Sequence, residues 1–512
     1  MTLERMQDLP LDQDACYAAL RAHDTRFDGR FFCGVSSTGI YCRPICRVKL
    51  PKESNCTFFP SAAAAEAAGF RPCLKCRPEL APGLAPADSV ARLARSAARI
   101  IEEDCLTERS IADLAERIGI SDRHLRRVFL AEYGVSPVRF LQTQRLLLAK
   151  NLLTDTRLAV TDVAMTAGFG SIRRFNDLFK KQYRLAPSRF RNKEQAVSRE
   201  GDSITLFLAY RPPYAWDELI SFLALRAIAT VESVAGGAYR RTVAIRKAET
   251  IHSGWISVAH LPRRNAVSVT VASALLPVLP QVLTRVRHLF DLDCDPFSVH
   301  EKLGTMESIA PGIRIAGIRL PGCFDPFEMS TRAVLGQQIT VKAAGTLATR
   351  LVASFGGQIE TPFRELSRTF PFPDAVCSLE APIENRLGPI GIIGSRARSI
   401  LALAQALASN SITLSLDADP GSQMQKLLKL PGLGPWTVSY IAMRALGWPD
   451  AFLDTDYGVK KALSGLPAKE ALALSQTWSP WRSYATITLW ASLKTVPKVT
   501  TEVATDDVHL QH

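Results

Sequence analysis

Four cysteines carry the clearest chemical signal in this chain. Cys42 and Cys46 stand in TGIYCRPICR, and Cys73 and Cys76 in GFRPCLKC. A Cys-x3-Cys pair followed by a Cys-x2-Cys pair is metal-ligand spacing. Each short pair lets two sulfurs converge on one ion. The intervening segment then folds back to complete a tetrahedron. No histidine lies within residues 38–76, so the site is all sulfur. That favours one Zn2+ over an iron–sulfur cluster. By spacing alone, the commoner role of such a site is a structural clip.

A second signal lies near the C-terminal end, in LLKLPGLGPWTVSYIAMRALG. A helix is predicted to end at Leu430, the next four residues to form a tight hairpin, and a second helix to begin near Pro435. Gly432 and Gly434 let the backbone turn sharply and approach a ligand closely. Amides at the start of the second helix then point outward, which suits a phosphate group. Further on, AFLDTDYGVKK offers two carboxylates, Asp454 and Asp456.

The elements that must hold these groups fill a chain of 512 residues, enough for three or four domains. Hydrophobic residues make up 47%, ample for several cores. The formal net charge of +13 points to a polyanionic partner. Beyond the quartet, Cys16, Cys33, Cys56, Cys105, Cys294, Cys323 and Cys377 are scattered, as reduced thiols are. The first residues lack a signal-peptide pattern. The longest uncharged run, 265–284, reads as a strand and then a helix start, not a membrane span. A cytoplasmic protein is expected.

Residues DGRFFCGVSSTGIYCRPICR and AAAAEAAGFRPCLKCRPE resemble the N-terminal domain of the Ada family of adaptive-response regulators. The resemblance implies one Zn2+ on Cys42, Cys46, Cys73 and Cys76, with Cys42 taking a methyl group from a methylated DNA phosphate. A metal-bound thiol is deprotonated, hence nucleophilic. A methyl phosphotriester has lost its charge, so an anionic sulfur can approach it. Arg43, Arg47, Lys49, Arg71, Lys75 and Arg77 suit a phosphate-facing surface. The Pro-Cys-His-Arg motif, with which Ada proteins carry out a second transfer, is absent.

A linker is expected at 81–86, then helices from about Ser89 to Arg191. Ile111, Leu114, Ala115 and Ile118 recur at helical spacing. Gly119 breaks that helix and Ser121 caps the next. The pattern repeats with Val160, Val163 and Ala164, a turn at Gly168 and a new start at Ser171. Two such units joined by one long helix, with AGFGSIRRFNDLFKKQYRLAPSRFR, resemble the AraC-type DNA-binding domain. Recognition-helix residues facing the major groove would be Arg123, His124, Arg126, Arg127, Ser171, Arg173 and Arg174. Such an activator implies RNA polymerase as a partner.

The remainder resembles 3-methyladenine DNA glycosylase II, the AlkA type. ITLFLAYRPPYAWDELISFLALRA, ETIHSGWISVAHL and NAVSVTVASAL match its N-terminal α/β domain, where a structural role is expected. DPFEMSTRAVLGQQITVKAAGTLATRL is expected to form one long helix opening the helix-hairpin-helix core. The resemblance selects Asp456, the carboxylate before the tyrosine, as catalytic, and leaves Asp454 to cap or bond locally. An anion there would stabilise positive charge on the sugar. Trp436 stands where strand-cutting relatives have a lysine, which implies monofunctional hydrolysis. Trp436, Tyr440, Tyr457 and Trp490 would line the base pocket. Gln338 replaces the family's wedge leucine.

The chain is therefore read as multidomain and mainly α with α+β parts. Residues 1–82 form a Zn(Cys)4 methyl-acceptor domain and 87–193 a double helix-turn-helix. An AlkA-like α/β domain spans 203–310, a helix-hairpin-helix glycosylase 311–498, and a disordered tail 499–512. Double-stranded DNA is the implied partner. The rivals are a regulator with an inactive glycosylase half and a glycosylase with a purely structural zinc domain.

Overall fold

The computed structural model describes residues 13–23, 27–28, 31–60, 62–76, 78, 93–94, 96–102, 110–190, 202–309, 313, 315–416 and 418–495. The linker at 81–86, Arg77, Cys105 and the tail at 499–512 lie outside the described residues.

A small sheet carries the cysteine quartet. Its strands β1 (Phe32–Val35), β2 (Ile40–Cys42), β3 (Cys56–Phe59) and β4 (Arg71–Pro72) lie in the order β3-β1-β2-β4. Gly39, at φ 64°, makes the turn between β1 and β2. The β2–β4 pairing is parallel, with Tyr41 opposite Pro72. Both strands therefore end together, and the Cys73 amide donates to the Tyr41 carbonyl at 3.0 Å. That register brings Cys42 and Cys73 to one end of the sheet.

Helical residues at 93–94 and 96–102 are followed by the helices Ile111–Ile118, Asp122–Tyr133, Pro137–Asp155, Val160–Thr166 and Ile172–Tyr183. The expected punctuation is present. Ser110 and Asp113 form a capping box, and Gly119 ends the helix Ile111–Ile118 in the left-handed region at φ 79°. Ser121 and Ser171 accept from the amides of His124 and Arg174, starting the two second helices.

A five-stranded antiparallel sheet comes next, in the order β5-β9-β8-β7-β6. The strands are β5 (Ser203–Ala209), β6 (Glu232–Ala235), β7 (Ala238–Lys247), β8 (Thr250–Leu261) and β9 (Ala266–Ala272). Between β5 and β6 runs the helix Trp216–Arg226. Helices dominate the rest, and their core is continuous with the sheet's.

The expected single helix over DPFEMSTRAVLGQQITVKAAGTLATRL is two helices, Pro326–Leu335 and Val341–Phe355. Local and tertiary hydrogen bonds break it. Thr340 caps the second helix through the Ala343 amide. The Gln337 side chain donates to the Gly432 carbonyl at 2.8 Å and to Thr437 Oγ1 at 2.9 Å. Gln338 takes a left-handed φ of 55°. These bonds bring the break against the hairpin.

A buried ion network fastens the sheet to the helix Pro326–Leu335. Arg241 on β7 meets Glu328 at 2.6 Å, and Arg332 meets Glu232 at 2.8 Å and Glu328 at 3.1 Å. Tyr239 donates to Glu232 at 2.6 Å. Removing one partner strands a buried charge. Arg241→Met is expected to cost about 3–5 kcal/mol, read as a lower midpoint in a urea titration.

Candidate metal centre and base-binding cleft

The Sγ atoms of Cys42, Cys46, Cys73 and Cys76 all lie within 4.8 Å of one another. A turn closed by the Cys46 amide on the Arg43 carbonyl, 3.1 Å, bends the first pair inward. The Arg43 amide donates to Cys76 Sγ at 3.5 Å. Side-chain hydrogen bonds with Cys46 and Cys76, then burial, hold the Cys42 thiol far above its ordinary range. Hydrogen bonds led by Cys42 bring Cys46 down to about 3. Four sulfurs so close ionise together only round a cation, and an all-sulfur tetrahedral set fits Zn2+. The quartet binds one Zn2+. Cys42 is 5% exposed, and Cys76 is the most open of the four.

The basic surface expected around the quartet is only partly present. Arg43 is buried and forms a two-pronged ion pair with Asp28, its Nε 2.7 Å from Oδ1. It is a structural strut, not a phosphate ligand: its guanidinium is needed to neutralise a carboxylate in the interior. Arg47 reaches Glu132 of the helix Asp122–Tyr133 at 3.2 Å, and Lys75 donates to the Arg47 carbonyl. Lys49 and Arg71 are exposed.

On the recognition helices, Arg123, Arg126, Arg127, Ser171, Arg173 and Arg174 are exposed and His124 is half-buried. Arg126 pairs with Asp122 at 2.9 Å, and Arg127 meets His124 Nδ1 at 2.9 Å. Both helices present cations from their first two turns.

The second site is a cleft of about 1510 Å³. Asp456, Trp436, Tyr440, Tyr457 and Trp490 all line it, as do Gln338, Gly432 and Gly434. Asp456 caps the helix Tyr457–Ala462, its Oδ1 accepting from the Val459 amide at 3.0 Å. The same Oδ1 accepts from Trp490 Nε1 at 2.8 Å, and Oδ2 from Trp436 Nε1 at 3.2 Å. Three donors thus orient one carboxylate. Of the two local roles expected for Asp454, capping falls instead to Asp456. Asp454 interacts with the Thr455 backbone, and burial raises its carboxyl above the usual range.

Gly432 sits at φ 76°, and a Cβ there would meet Ser399 Oγ at 2.2 Å. Gly434 is the N-cap of the helix Pro435–Arg444 and has ordinary extended backbone. Only Gly432 needs to be glycine for its conformation. Trp436 and Tyr440 stack at 5.4 Å and 11°, and Trp490 stands 6.2 Å from Tyr440. Tyr457 is 79% exposed at the rim.

Phe222, Arg226 and Gly458 are among the lining residues that escaped the sequence reading. The helix Trp216–Arg226, given only a structural role there, sends Phe222 and Arg226 into the cleft. Phe222 stacks on Trp490 at 6.2 Å and 15°. The Arg226 guanidinium lies 3.7 Å from the Phe222 ring centre and 5.6 Å from that of Trp490. Their i, i+4 spacing was the available signal, but nothing in it links them to residues two hundred positions away. Burial alone would raise the Tyr440 phenol's pKa; Arg444, Arg226 and Arg332 outweigh it and lower the value. The third is Gly458. A Cβ there would meet Trp490 at 2.8 Å and Asp456 Oδ1 at 3.1 Å.

Fold and sites define a multidomain DNA-binding protein that joins a zinc–cysteine module and a double helix-turn-helix to a glycosylase-type cleft. Three family descriptions match: Metal binding domain of Ada over residues 15–79, Helix-turn-helix domain over 114–193, and AlkA N-terminal domain over 205–325. A probable bifunctional transcriptional activator/DNA repair enzyme AlkA of Mycobacterium tuberculosis is 37% identical over 493 residues, 94% of this chain and 97% of the relative. DNA-3-methyladenine glycosylase 2 of Escherichia coli is 31% identical over 55% of this chain and 95% of its own length. The bifunctional transcriptional activator/DNA repair enzyme Ada of the same organism is 34% identical over 31% of this chain and 43% of its own. The chain belongs to the family of bifunctional AlkA-type transcriptional activator/DNA repair enzymes. Among the described residues no single helix is long and apolar enough to cross a membrane.

Proposed function

We propose that this chain excises alkylated purines of the 3-methyladenine type from double-stranded DNA and accepts methyl groups from DNA methyl phosphotriesters on Cys42. The observation that carries the first activity is Asp456, held by three donors in a cleft walled by Trp436, Tyr440 and Trp490. A base turned into the cleft would lie against that aromatic wall. The N-glycosidic bond breaks with its electron pair leaving on the base, whose alkylation had made it cationic. Asp456 stabilises the positive charge left at C1′ and takes a proton from the water that adds there. With Trp436 in place of a lysine, an abasic site is the end product. Gly432, Gly434 and Gln338 face the DNA at the mouth of the cleft.

In the other half, Zn2+ when bound keeps all four sulfurs as thiolates. Cys42 Sγ attacks the methyl carbon, the carbon–oxygen bond breaks, and its electron pair restores the phosphodiester anion. The resulting thioether has lost one negative charge, which strengthens DNA binding through Arg123, His124, Arg126, Arg127, Ser171, Arg173 and Arg174. RNA polymerase is then the partner of the activated form, in the cytoplasm. In this reading 1–82 senses, 87–193 regulates, and 203–310 with 311–498 excises. The burial of Cys42 favours one second reading, in which the zinc is purely structural.

Incubating the protein with methylated duplex DNA and assaying free 3-methyladenine tests the excising half; no release sinks it. Trp490→Phe keeps a ring on the wall but removes the indole N–H from Asp456. Its kcat for base release is expected to fall about tenfold, the worth of one hydrogen bond to a charged group, with KM nearly unchanged.

A further inference from the structure

A second projection stands on the rim of the cleft. Ile392 and Ile393 lie between two glycines in the left-handed region, Gly391 at φ 91° and Gly394 at φ 56°. Ile392 is fully buried, while Ile393 is 65% exposed. One residue anchors the loop in the core, and the reversals on either side push the next one out. A single exposed isoleucine is ordinary on a protein surface. This one lines the same cleft as Asp456 and Gln338. Arg396, three residues on, donates to the Gln337 carbonyl at 2.6 Å, and the Gln337 side chain bonds the hairpin at Gly432. The Ile393 loop, the Gln338 turn and the hairpin are thereby tied into one rim.

A nucleotide turned out of a duplex leaves a gap between two apolar base faces. A carboxamide pushed into that gap gives up its hydrogen bonds to water, whereas an isoleucine has none to lose. Proteins that unstack bases insert apolar side chains of this kind. Gln338, exposed at the mouth, is better placed in chemistry to bond a base edge than to fill a stack. We propose that Ile393 is the wedge that enters the duplex and holds the target nucleotide out, leaving Gln338 to hydrogen-bond the unpaired base. The proposal rests on the base-excision reading above.

The test uses the full-length, zinc-loaded protein. Its substrates are an alkylated duplex with 2-aminopurine beside the lesion and the same strand alone. Ile393→Ala is expected to slow base release from the duplex by roughly tenfold and to abolish the 2-aminopurine fluorescence rise. Release from the single strand stays at the wild-type rate, and Ile393→Leu restores the duplex rate. An unchanged duplex rate in Ile393→Ala overturns the wedge, and so does an equal drop on both substrates. If the wild type releases no base, excision fails as a reading. The fluorescence rise and its loss in Ile393→Ala still decide the wedge.

Discussion

Asp456→Asn is expected to lower base release by about 10²–10³-fold while leaving DNA binding and folding in place. The geometry makes this substitution unusually clean. Asp456 is an N-cap as well as the proposed catalytic anion. Asparagine caps a helix as well as aspartate does, so the Val459 amide keeps its acceptor. What changes is the charge, and with it the stabilisation of a cationic sugar. An amide also has one oxygen where the carboxylate had two, so one of the two indole donors loses its partner. Asp456→Ala would confuse the result, since losing the cap alone costs about 1 kcal/mol. Single-turnover release from a methylated duplex, with a gel shift on the same DNA, separates chemistry from binding. A variant within threefold of wild type would remove Asp456 from the reaction.

Much of this was readable in the chain because the signals are local. Cys42, Cys46, Cys73 and Cys76 are close in sequence, and short pairs converge whatever surrounds them. Ser121 and Ser171 cap their helices through amides three residues away, so the helix starts follow from side chains alone. The misreadings share another cause. Arg43 looked like surface charge beside a reactive cysteine, but Asp28 fixes it indoors. The expected long helix broke at Gln337 because its partners are Gly432 and Thr437, about a hundred residues on. Phe222 and Arg226 reach the cleft only because the sheet's helix packs over it. Asp454 and Asp456 were separated by resemblance. The physical distinction, two indole N–H groups on one and none on the other, exists only once Trp436 and Trp490 have been brought together by the fold.

Cys42→Ala is expected to reduce methyl uptake from phosphotriester DNA to background, and mass mapping of the wild type should place the methyl on Cys42 alone. The comparison needs a second variant, because any ligand substitution weakens the metal site. Cys76→Ala serves, since Cys76 is the most open of the four and a reactive thiolate chosen by access alone would be that one. If label persists in Cys42→Ala but vanishes in Cys76→Ala, the acceptor has been misplaced. If neither the wild type nor any variant takes label, the quartet is a structural clip. The charge argument gives an independent readout. Four thiolates round a dication carry a net charge of about −2, and methylation removes one negative charge. At a separation of ~10 Å that charge opposes each nearby phosphate by about 0.4 kcal/mol in water and more where solvent is excluded. Methylated protein should therefore bind promoter DNA on the order of tenfold more tightly at low salt. The gain should shrink as salt screens it. A gain that does not vary with salt would mean that the thioether acts through conformation and not through charge.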